Sequence, residues 1–128
     1  MTTDSAAHRE HPKVRHGRVG VLLLNLGTPD APTAKAVRPY LKQFLTDRRV
    51  IELPKLLWYP ILFLFVLTFR PRKTARAYQR IWKEGEDSPL RAITQRQTEK
   101  LRQRLGGDIA VEFGMRYGNP STESALQK

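Results

Sequence analysis

The chain has 128 residues, 40% of them hydrophobic, and carries 23 Lys and Arg against 12 Asp and Glu, for a formal net charge of +11. That length holds one small domain, and that apolar fraction excludes wholesale disorder. The absence of Cys excludes disulfides and any thiolate-held metal or iron–sulfur cluster within this stretch, while the positive charge selects for an anionic partner: nucleic acid, anionic lipid or an acidic small molecule.

Residues Met1 to Arg18 are polar and lack the apolar core of a secretory signal. We read them as a flexible basic tail, with residues 19–128 as the folded part. All three histidines, His8, His11 and His16, lie in the tail. Their spacing would hold a metal only weakly, and we assign no metal site to them. Val19 to Asn25 is a short continuous apolar run, which suits a strand buried on both faces of a parallel sheet. Gly27, Thr28, Pro29 and Asp30 then break it. Asp30 or Thr33 can cap the helix that follows, whose Val37, Tyr40, Leu41, Phe44 and Leu45 recur at helical spacing. Strand, tight loop and amphipathic helix open a βα unit.

A short apolar stretch, Val50 to Leu53, ends at Pro54. The 14 residues from Leu56 to Phe69 are apolar apart from one Thr and one tyrosine hydroxyl. As a helix they span about 21 Å at ~1.5 Å per residue, short of a bilayer core of about 30 Å. Pro60 also interrupts the run. A buried core helix and an interfacial segment are both open. The basic run behind it (Arg70, Arg72, Lys73, Arg76 and Arg80, with no acid inside it) favours the interfacial one, because each cation near an anionic surface contributes about 1 kcal/mol. We place a membrane-facing lip at about 54–73, with Leu57, Trp58, Leu62, Phe63 and Phe65 as its contact residues.

Arg70 to Trp82 predicts a helix and Lys83 to Asp87 a polar loop. Ser88-Pro89 then reads as a helix start, with Ser as cap and Pro in the first turn. That helix runs to about Leu105, and Gly106-Gly107 ends it. Ile109 to Tyr117 predicts a second strand, Gly118-Asn119-Pro120 a turn, and Ser121 the start of a last helix. No repeat or low-complexity tract interrupts the pattern. Two strands are too few for a stable doubly wound sheet, so the sequence reads as the first part of an α/β domain, incomplete in this chain.

The loop after the first strand has neither G-x-G-x-x-G nor G-K-[ST], so phosphate cradling is not supported. The second strand ends in Met115-Arg116-Tyr117, which offers a guanidinium and an aromatic hydroxyl where an open sheet places its ligand crevice. Alternation sends neighbours to opposite faces, so only one of the two need line a pocket. No histidine, paired carboxylate, nucleophile set or metal-ligand cluster occurs between Val19 and Lys128. The stretch reads as a binding half without catalytic residues of its own. No nucleic-acid motif accompanies the charge, so nucleic acid is not an expected partner.

Four motifs carry a resemblance: LLLNLGTPD (Leu22–Asp30), Tyr78 with Ile81-Trp82, SPL (Ser88–Leu90) followed by ITQRQ (Ile93–Gln97), and FGMRYGNPS (Phe113–Ser121). In this order they resemble the ferrochelatase family, over about the first third of a family member. The resemblance implies a Rossmann-like chelatase fold, with a parallel sheet flanked by helices. It implies a lyase that inserts ferrous iron into protoporphyrin IX at the end of heme biosynthesis. Porphyrin contacts would be Leu26, an Arg at the lip (Arg70, or Arg72 if the gap falls differently), Tyr78, Ser88, Arg116 and Tyr117. Leu26 together with the apolar lip resembles the protoporphyrin branch more than the coproporphyrin one. Asp87 stands where the family usually has Gly. The family's catalytic His and its acidic partner would lie beyond Lys128, so no cofactor or metal ligand is assigned here. The implied location is cytoplasmic and peripheral to the membrane. The alternative is a non-catalytic membrane-surface or porphyrin-binding module.

Overall fold

The computed structural model describes residues 17–128; the three histidines and nearly all of the tail expected at 1–18 lie outside them. Strand β1 (Gly20–Thr28) is followed by helix α1 (Ala34–Leu45). Helix α2 (Lys55–Ile61), a π-helical turn (Leu62–Val66) and helix α3 (Leu67–Ile81) come next, then helix α4 (Pro89–Leu105), strand β2 (Ala110–Gly118) and the short helix α5 (Thr122–Leu126). The two strands pair in parallel from Gly20↔Ala110 to Thr28↔Gly118. This is a mixed α/β architecture, as the sequence predicts.

Strand β1 runs three residues further than Asn25. Gly27 and Thr28 do not break it, because they continue the ladder opposite Tyr117 and Gly118. The crossing is so close that a side chain at Gly27 would overlap the Tyr117 backbone, and its φ of 122° is one that glycine tolerates. Nor is β1 buried on both faces. One face packs under α4, where Asn25 Nδ2 donates to Thr94 Oγ1 at 3.1 Å. The other bears Leu24 and Leu26, which are 61% and 52% exposed. A run of four leucines and valines has no alternation, so it cannot say which face is covered.

Helix α1 starts where Thr33 caps it, its hydroxyl accepting from Ala36 N at 3.3 Å. Its buried stripe, Val37, Leu41 and Leu45, meets Leu62, Leu67 and Ala75 to form a core between α1 and the long helical arm. Phe44 extends this core to the sheet, meeting the Tyr117 ring edge-on at 5.0 Å.

The interruption expected at Pro60 does not occur: α2, the π turn and α3 follow one another without a loop, and the helix expected from Arg70 begins at Leu67. Pro71 cannot donate to the Leu67 carbonyl as a helical residue would. Arg38 on α1 replaces that donor, its Nε reaching Leu67 O at 3.1 Å. The π turn supplies the second adjustment, with Leu67 N bonded back to Leu62 O, five residues earlier.

The expected cap at Ser88 is also different. Its hydroxyl makes no capping bond to α4. It faces Thr28 Oγ1 at 2.8 Å instead, and both residues are buried. The helix still begins at Pro89, since proline loses nothing in a first turn. The last helix starts as expected, with Ser121 Oγ accepting from Ser124 N at 3.1 Å.

Candidate functional site

The carboxyl ends of β1 and β2 lie side by side, and the register sets Leu26 beside Arg116 on the face opposite α4, a face that α5 covers in part at Gly114. Leu26 reaches that position with help from Asn25, whose Oδ1 accepts from Leu26 N at 2.8 Å. Leu26 is about half exposed there, beside the partly exposed Arg116 side chain.

Arg116 and Tyr117 alternate along the strand, yet they converge. Tyr117 OH donates to Asp47 Oδ2 at 2.7 Å, and Arg116 Nη2 donates to the same oxygen at 2.8 Å. Arg116 Nε closes the triangle on Tyr117 OH at 3.2 Å. The guanidinium also lies 5.4 Å from the centre of the Tyr117 ring. Asp47 is lowered to about 2, first by the Tyr117 hydroxyl, then by the Arg49 backbone N–H and Arg116. It is therefore ionised throughout the neutral range. Gln43, Thr46 and Thr122 complete a small polar pocket around these three.

Sequence reasoning missed Asp47. It sits in a polar turn 69 residues before Arg116, where one acid among basic neighbours gives no signal. Tyr117 is buried, its ring against Phe44 of α1, while the Arg116 side chain is 45% exposed and folds back across the strand edge to the Tyr117 hydroxyl.

Tyr78 lies half-buried on α3, against the α1 core and edge-on to Trp82 at 6.3 Å. Burial, with Tyr78 as neighbour, raises the pKa of the Tyr40 hydroxyl. That hydroxyl donates to Gly27 O at 3.4 Å, which ties α1 to the end of β1. Arg70 stands two turns before Tyr78 and lines an open groove of about 600 Å³ with Phe65, Val66, Phe69, Lys73 and Thr74. The structure thus groups Leu26, Arg116 and Tyr117 at the strand ends, and sets Arg70 and Tyr78 along α3.

Ser88 joins neither group, because it is spent on Thr28. Ser88→Ala should cost about 1 kcal/mol of stability in urea unfolding, the usual value of a hydrogen bond whose partner stays buried. A loss of ligand affinity with unchanged stability would instead make it a contact residue.

The apolar segment has an inner and an outer side. Of the five residues expected on the lip, Leu62 is fully buried in the core, and Trp58 is half-buried, with its Nε1 donating to Leu45 O at 2.8 Å. These two face inward, because an arm that packs on α1 must spend one stripe on the contact. Leu57, Phe63 and Phe65 face solvent, together with Leu56, Leu64 and Phe69. No helix among the described residues is long and apolar enough to cross a membrane.

The family model for ferrochelatase matches residues 18–128. The chain belongs to the ferrochelatase family. It is 62% identical over 113 residues to a ferrochelatase of Neisseria gonorrhoeae, covering 88% of this chain and 33% of that relative. A protein named ferrochelatase 2 from Shewanella oneidensis is 57% identical over 115 residues, covering 88% and 35%. A ferrochelatase of Methylocella silvestris is 47% identical over 136 residues, covering 100% and 39%. The chain thus spans about a third of the length of the curated ferrochelatases it matches. The parallel pair β1–β2 with its flanking helices fits an incomplete chelatase fold.

Proposed function

We propose that this chain supplies the porphyrin-holding and membrane-facing part of a protein that inserts ferrous iron into protoporphyrin IX to give protoheme. The observation that carries the reading is the ferrochelatase match over residues 18–128. The strand ends support it, with Leu26 and Arg116 adjacent and both partly exposed. In this reading Leu26 packs against the macrocycle, while Arg70 and Tyr78 on α3 reach its carboxylates. Arg116 and Tyr117 close the metal-facing side. Ferrous iron is substrate, and its insertion requires removal of two pyrrole protons. Among the described residues no His, Cys, Asp or Glu group could hold a metal ion. In this reading the residues named here bind and orient the porphyrin, which lowers the entropic part of the barrier. Leu26→Asp should weaken protoporphyrin binding, followed by fluorescence, about tenfold (~1.4 kcal/mol). Unchanged binding would remove Leu26 from the site.

The protein works at the cytoplasmic membrane surface in this reading. The outward residues Leu57, Phe63, Leu64 and Phe65 enter the interface, and the cations of α3 meet anionic headgroups. Co-sedimentation with vesicles containing phosphatidylglycerol should fall with added salt and severalfold with Phe65→Asp. Binding indifferent to both changes would refute the lip.

A further inference from the structure

We propose that Asp47 is a positioning residue for porphyrin binding, acting through Arg116. The inference deepens the proposed function and rests on it. Asp47 lies in the turn after α1, the helix on which the whole apolar arm is packed. One of its oxygens takes a hydrogen bond from Arg116 and one from Tyr117, while the other accepts from Arg49 N at 2.9 Å. Three of the roughly four lone-pair sites of this carboxylate are thus used to hold either its own turn or the end of β2.

The consequence for Arg116 is specific. Its side chain is 45% exposed and would otherwise swing through many rotamers beside Leu26. Held by Asp47 Oδ2, by the Tyr117 hydroxyl and over the Tyr117 ring, it keeps one orientation. Its Nη1 has no partner among the described residues and is the donor left for a ligand. A cation fixed before the ligand arrives loses less entropy on binding than a free one. Asp47 performs this work without touching the ligand, and it ties the turn next to the arm to the ligand-facing end of the sheet.

The test is a double-mutant cycle on protoporphyrin affinity in the full-length protein. Asp47→Asn should weaken binding about tenfold, Asp47→Glu should recover part of it, and Arg116→Met should weaken it by a similar factor. The double variant Asp47→Asn/Arg116→Met should be no weaker than Arg116→Met alone, because Asp47 acts through that guanidinium. Additive losses in the double variant, or an Asp47→Asn protein that binds like wild type, would overturn the proposal. A fall in thermal stability with no fall in affinity would overturn it too, and would make Asp47 a packing residue. Failure of the wild-type protein to bind protoporphyrin would be a different result, since it sinks the functional reading itself.

Discussion

Gly27→Ala should abolish cooperative folding of the sheet or lower its stability by more than about 4 kcal/mol, read as the loss of the main transition in urea. The cost has two sources. Its φ of 122° is unfavourable for any residue with a Cβ. The added methyl would also overlap the backbone of Tyr117, which cannot rotate out of the way as a side chain could. Relief requires β1 and β2 to part at Gly27↔Tyr117 and Thr28↔Gly118, the end that carries Leu26 and Arg116. Gly20→Ala is the control. At the other end of the strand the nearest atom to a new methyl is Ala110 O at 3.9 Å. That change should stay within about 1 kcal/mol. Equal costs at the two glycines would mean that the crossing at Gly27 is not as close as described.

Leu62→Ala and Leu64→Ala, two residues apart in the same apolar run, should behave as opposites. Leu62 is fully buried among Val37, Leu41 and Leu67, so its truncation should cost about 2–5 kcal/mol through lost transfer energy and the cavity left behind. Leu64 is 66% exposed, and its truncation should move stability by no more than about 0.5 kcal/mol. The difference has a practical side. A polar substitution at Leu62 unfolds the arm and says nothing about membranes, whereas one at Phe65 reports on the lip. If Leu64→Ala were as costly as Leu62→Ala, the outward side would be packed against something, and the lip would not be free to meet a membrane.

What the sequence could tell depended on how local each signal was. The apolar stripe of α1 and the Thr33 cap are set within one or two turns, and both were readable. The two strands were readable as short apolar runs, though not their ends. The extension of β1 through Gly27 depends on Tyr117, which is 90 residues away. The continuity of the arm through Pro71 depends on Arg38, whose guanidinium takes over a lost backbone bond from another helix. Ser88 has the local grammar of a cap, but Thr28 offers its hydroxyl a buried partner. The apolar segment could not be split into inner and outer residues because a run that is apolar all round has no phase. Arg116 and Tyr117 at the end of β2 stood out through motif, and Asp47, which bonds to both, did not.

The most direct test of the central claim is anaerobic protoheme formation from ferrous iron and protoporphyrin IX by the full-length protein, followed by absorbance, for wild type and Arg116→Met. The wild type should turn over, and the variant should show a kcat/KM for porphyrin about tenfold lower. No protoheme from the wild type would contradict the iron-insertion reading. Equal kcat/KM in the two proteins would contradict the claim that this chain's strand ends hold the porphyrin.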